Sequence, residues 1–163
     1  MPMELFVPFW TPKIHQAINK EIKYGNIIPF AFRGELFSGT HNFASGGDAF
    51  KIALYTANPY TTASTTVTAT SEVSSAGSSN YTRKSLGSQA VASSTAVASV
   101  DFADSTWSSA TFTAAFAAIY NDDKSDKLCV VLDFGGDKTC TNGTFTVSYP
   151  DPATPANAII SMS

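Results

Sequence analysis

Charge is scarce in this chain. Ten Lys and Arg and thirteen Asp and Glu make up 14% of 163 residues, where about a quarter is usual for soluble domains. The formal net charge is -3. Without a basic excess there is nothing to hold a row of phosphates, so nucleic-acid binding is not expected. No run of about 20 apolar residues occurs, so no helix is expected to span a membrane. Two cysteines do not make a disulfide framework. Only His15 and His41 are available as histidines, too few for a histidine-based zinc site without other converging ligands. Disorder is excluded by composition, since 44% of residues are hydrophobic and 12% aromatic. What is abundant is small: 20 Ser, 19 Thr and 22 Ala. A weakly charged, Ser/Thr-rich surface suits strands, turns and packing against other protein better than titrating chemistry.

The N-terminus carries apolar residues but no export signal. Leu5 to Trp10 are apolar, yet Glu4 precedes them and Pro8 and Pro12 break the run. A secretory signal needs a positive start, about 7–15 apolar residues and a small-residue cleavage site. A reducing compartment is therefore expected, with Cys129 and Cys140 unbridged. Cys129 lies in the apolar run Leu128–Leu132, where a thiol acts as a small core hydrophobe. Asn80-Tyr81-Thr82 and Asn142-Gly143-Thr144 match the glycan-acceptor pattern, and without export they read as coincidence.

Texture changes near residue 40. Residues 1–39 hold Lys13, Lys20, Lys23 and Arg33, four prolines, and the apolar words Leu5–Trp10 and Ile27–Phe32. Between these words one helix is predicted, over about 12–24. Thr11 is its N-cap, Pro12 its first residue and Gly25 its stop. Ile14, Ala17, Ile18 and Ile22 form the apolar stripe. Two readings stay open for this segment: a helix folded against its own domain, or an arm that docks on a neighbouring chain. Under the second reading the contact residues are Phe6, Phe9, Trp10, Ile14, Ile18, Ile22, Phe30 and Phe32.

From Phe50 onward the period is two. Phe50–Thr56 reads as a strand ended by Asn58-Pro59. Thr65–Thr70 is a short β-branched run, and Ser74–Asn80 a loop. One bent or two short strands are predicted in Gln89–Phe102, further strands in Thr111–Tyr120 and Lys127–Phe134, and a polar turn between the last two. Asn142-Gly143, flanked by Lys138–Thr141 and Thr144–Tyr149, is a strong hairpin signal. Phe145, Val147 and Tyr149 then share a face, and Ala158–Met162 can close a sheet. No helical period interrupts these strands, so a doubly wound α/β fold is disfavoured. The expected fold is all-β: an antiparallel β-sandwich or jelly-roll-like domain over 40–163, carrying an N-terminal arm over 1–39 with one short helix. Its core should centre on Trp107, Phe112, Phe116, Ile119, Val131, Leu132, Phe134, Phe145, Val147 and Ile160.

A search for chemistry returns little. There is no Gly-x-Ser-x-Gly, no phosphate loop, no Cys-x-x-Cys and no His-Glu-x-x-His. His41, beside a Gly-rich turn, reads as a structural hydrogen-bonding residue. The acidic stretches Asn121–Asp126 and Asp133–Asp137 lack the ligand alternation and final Glu of a calcium loop and read as solvated turns. No catalytic, cofactor-binding or metal-binding residue is nominated, and no enzyme activity is expected.

Five segments resemble a family of tailed-phage virion structural proteins, in the family's order. The first is His41–Thr56 (HNFASGGDAFKIALYT). Ser79–Leu86, Phe102–Thr113, and Ala118–Asn121 continuing through Leu132–Asp137 follow, and Asn142–Val147 also matches. The resemblance covers about 40–163, and its motifs are structural words rather than catalytic ones. It implies a β-sandwich component of a phage head or tail without enzymatic activity. The expectation is a capsid decoration or cement protein, located in the virion and assembled in the host cytoplasm. Its partners would be identical subunits, most simply as a trimer, and the major capsid protein or another virion protein. A tail or neck component stays open, as does a receptor- or carbohydrate-binding β-module using Tyr55, Tyr60 and Tyr81 as stacking platforms.

Overall fold

The computed structural model describes residues 13–14, 27–74, 80–93, 98–149 and 158–162. The fold is all-β with one short helix. In chain order the elements are β1 (Lys13–Ile14), α1 (Phe30–Phe37), β2 (Phe50–Tyr55), β3 (Lys84–Ser85), β4 (Ala90–Ser93), β5 (Ala98–Asp101), β6 (Ser105–Asn121), β7 (Lys127–Ser148) and β8 (Ile160–Met162). A five-stranded antiparallel sheet runs β1-β7-β6-β2-β3, and a three-stranded one runs β4-β5-β8.

The β6–β7 hairpin organises the larger sheet. It pairs from Ser105↔Val147 to Asn121↔Lys127 and closes through the 3-10 turn Asp122–Lys124, with Ser125 and Asp126 left-handed at φ 56° and 59°. The expected polar turn is thus present, and it docks: Asp123 accepts the Ala49 amide at 2.7 Å, and Asp122 pairs with Lys51 at 2.8 Å. β2 lies on the other edge of β6, from Phe50↔Asn121 to Tyr55↔Phe116.

Around β2 this sheet is buried on both faces. Phe50, Ile52 and Leu54 enter the main core with Trp107, Ile119, Leu132, Phe134, Phe145 and Val147. Ala53 and Tyr55 face the other way, into a smaller cluster with Tyr60, Ala118, Tyr120, Leu128 and Val131. The smaller sheet joins the main core through Ile160 and the half-buried Val100. Every residue expected in the core is buried except Phe116, which is half-buried on the rim of the smaller cluster. Phe145, Val147 and Tyr149 share the core face as expected.

Three expectations are corrected. Lys13 and Ile14, assigned to a helix over 12–24, are extended and pair with Ser148 and Val147. The edge of β7 offers open backbone groups there, and β-branched Ile14 favours a strand. The rest of that expected helix lies outside the described residues. The described helix is instead α1, which begins in the apolar word Ile27–Phe32 and runs on to Phe37. Asn142-Gly143 is no hairpin turn: both flanking runs belong to β7, with Phe112↔Cys140, Ala110↔Gly143 and Trp107↔Phe145. Left-handed Asn142 (φ 47°) serves a bulge as well as a turn, and β6 is long enough to carry the pairing past it. Nor is residue 40 a packing boundary, because Ile28 and Phe32 belong to the main core.

Cys129 and Cys140 are free and buried. Burial pushes the Cys129 thiol well up, so both should resist a thiol reagent in the native protein. Addition of denaturant should release two reactive thiols per chain.

Candidate functional site

Helix α1 follows Pro29, whose extended backbone (φ -60°, ψ 146°) sits before the first turn without a side-chain cap. It ends where Gly39 turns left-handed at φ 69°, its amide donating to the Leu36 carbonyl at 3.2 Å. Phe32 points into the core and Leu36 packs against it. On the opposite face Phe30 and Phe37 are 62% and 71% exposed. Gly34 lies between them at helical spacing, and a Cβ built there meets nothing within 4 Å. Arg33 lies over the Phe30 ring, 5.4 Å from its centre.

The inner side of α1 anchors a polar cluster. Glu35 accepts from His41 Nε2 at 2.9 Å and from Lys127 Nζ. Asn121 Nδ2 donates to His41 Nδ1 at 2.9 Å and to Asp48 Oδ2 at 2.8 Å. Asp48 Oδ2 also accepts the Asn42 amide at 2.9 Å, and Asp48 Oδ1 pairs with Lys124 at 3.3 Å. The His41 side chain is wholly out of solvent. Burial disfavours the charged forms of Glu35 and Asp48. Hydrogen bonds from Lys127 and His41 to Glu35, and from Asn42, Asn121 and Lys124 to Asp48, outweigh that effect. Both carboxyls therefore sit below their ordinary values.

A second cluster covers the smaller apolar face. Arg83 grips Glu72 with two nitrogens, at 2.8 and 2.7 Å, and lies over the Tyr120 ring. Tyr81 donates to Glu72 at 2.8 Å and accepts the Leu54 amide at 3.0 Å. Tyr60 donates to Tyr55 at 2.6 Å, and Tyr55 to the Thr68 carbonyl at 2.8 Å. Tyr55, Tyr60 and Tyr81 are all buried, so none offers a stacking platform. Their hydroxyls tie the 56–74 segment to the sheet, and burial raises the pKa of each. Beside Tyr60 the surface forms a neutral cleft of about 430 Å³, lined by Ser64, Thr65, Thr66, Thr68 and Thr70.

Of the eight expected contact residues, Ile14, Phe30 and Phe32 are among the described residues. Phe6, Phe9, Trp10, Ile18 and Ile22 lie outside the described residues. Ile14 is in β1. Phe30 is exposed, whereas Phe32 is fully buried in its own chain's core and unavailable to a partner. Phe37 was not anticipated, although Phe30, Gly34 and Phe37 follow helical spacing. His41 is the structural hydrogen-bonding residue expected. Among the described residues no group of three or more His, Cys, Asp or Glu is placed to hold a metal, and no helix is long and apolar enough to cross a membrane.

No protein-family model matches this chain, and neither a curated protein nor a solved structure matches it.

Proposed function

We propose that the protein is a non-enzymatic structural subunit of a tailed-phage particle, a decoration or cement protein on the head. It would associate with identical copies and with the major capsid protein, entering the virion in the host cytoplasm. The observation that carries the reading is the outer face of α1. Phe30 and Phe37 stand in water on one helix face, separated by a glycine, and large apolar side chains grouped in this way mark an interface. Two further facts support it. The polar clusters are consumed in tying the protein's own elements together, which leaves surfaces as the working parts. The segments that carry the phage resemblance build β2, β6 and β7, the frame that presents α1.

Phe30→Glu together with Phe37→Glu should leave the fold intact, because both side chains are exposed. Incorporation into particles should fall at least tenfold, read by quantitative gel analysis of purified virions. Particles lacking the protein should lose heat resistance of the head and keep their tails. Stable heads without tails would replace this reading with a tail or neck role. Full incorporation of the double variant would show that α1 is not the anchor.

A further inference from the structure

The hydrogen bonds around His41 admit one protonation pattern. Asn121 is fully buried. Its Nδ2 spends one hydrogen on His41 Nδ1 and the other on Asp48 Oδ2, while its Oδ1 is buried with no partner. Turning the amide over would set Oδ1 against the Asp48 carboxylate, two acceptors with no hydrogen between them. The orientation is thus held while Asp48 is ionised. His41 Nδ1 must then be an acceptor, and the ring hydrogen sits on Nε2, donated to Glu35.

We propose that His41 is an acid-sensitive latch, whose protonation at Nδ1 releases the 42–48 loop from the end of the β6–β7 hairpin. A proton taken from solvent onto Nδ1 faces the Asn121 amino group, donor against donor. The amide relieves this by turning, so that Oδ1 accepts the new hydrogen. The same turn confronts Asp48 with an acceptor and removes the Asn121–Asp48 bond. The charged groups around the ring make the response one-sided. On the α1 side Glu35, backed by Lys127 from β7, gains from a positive ring. On the loop side Asp48 keeps Lys124 and the Asn42 amide but loses the Asn121 donor. Phe32 and Phe43 fill the remaining sides, at ring-centre distances of 5.1 and 6.1 Å. On β7 the buried Cys129 directs its sulfur at the Lys127 carbonyl. Acid should therefore loosen the loop and leave α1 in place.

The test is nuclear magnetic resonance on the full chain, following the His41 ring nitrogens and backbone exchange from pH 8 to pH 4.5. The expected result is an Nε2–H ring at pH 8. As the ring takes its second proton, protection factors of the amides of residues 42–48 should fall at least tenfold, and those of Ser38 and Thr40 should hold. His41→Gln can still accept from Asn121 and donate to Glu35 but cannot be protonated, so its loop should lose the acid response. Asp48→Asn provides a second variant: the ring should still titrate, with loop exchange no longer following it. An Nδ1–H ring at pH 8, ring protonation without loop opening, or an unchanged acid response in His41→Gln would each overturn the proposal.

Discussion

Trp107→Ala is expected to lower the unfolding free energy by about 3–5 kcal/mol. The indole is 1% exposed and sits among Tyr81, Phe112 and Phe145, with ring centres 6.5, 6.3 and 6.1 Å away. Truncation removes its transfer free energy and leaves a cavity that rings on a paired hairpin cannot collapse to fill. It also strands the Thr82 carbonyl, which accepts from the indole nitrogen at 2.8 Å. That bond fastens the segment before β3 to β6, so the loss combines packing with a long-range tie. Urea unfolding followed by circular dichroism measures the effect. A midpoint equal to that of the parent protein would contradict the packing described.

Gly47→Ala is expected to cost about 3 kcal/mol, at the upper end of what overpacking typically produces. The reason is steric rather than conformational. A Cβ at residue 47 would sit inside van der Waals contact of the Asn42 carbonyl oxygen and 2.9 Å from that of Ala44. These are backbone atoms of a loop closed by the Gly47 amide on Ala44 O at 2.8 Å and the Asp48 amide on Asn42 O at 2.9 Å. To admit the methyl group the loop must open, which also disturbs the Asp48 carboxylate. Gly34→Ala is the matched control. Its Cβ meets open space in a helix interior, so stability should rise by about 0.5–1 kcal/mol. Thermal unfolding of the two variants should move in opposite directions, and equal shifts would remove the steric argument.

The all-β architecture was legible because short, dense apolar runs bounded by turn signals mark buried strands. Phe50–Tyr55, Thr111–Tyr120 and Lys127–Phe134 show it, and the large apolar residues there are core residues with the exception of Phe116. The described helix α1 was not predicted, for a local reason. Thr11, Pro12 and Gly25 carry helix-boundary chemistry, whereas α1 has no side-chain cap and a glycine at its centre, so intrinsic propensity argues against it. Tertiary packing of Phe32 and Leu36 decides instead. Asn142-Gly143 was misread because a left-handed Asn is equally at home in a turn or a bulge, and only the length of β6 distinguishes them. His41 was legible as a hydrogen-bonding residue, but its partners were not. Glu35 and Lys127 are 92 residues apart, His41 and Asn121 80, and Asp48 and Asn121 73. No periodicity spans such separations, and the fold alone brings these groups together.

The β6–β7 hairpin has a kinetic consequence. Its two strands are joined by a short turn, so each successive pair forms next to one already made and the closure entropy per pair stays small. β2 meets β6 only by closing the long segment between Tyr55 and Ser105, and β8 meets β5 across the hairpin itself. The sheet's central pair is therefore also its most local one. The hairpin is the natural nucleus, with β2 and the three-stranded sheet condensing onto it later at a rate set by those long closures.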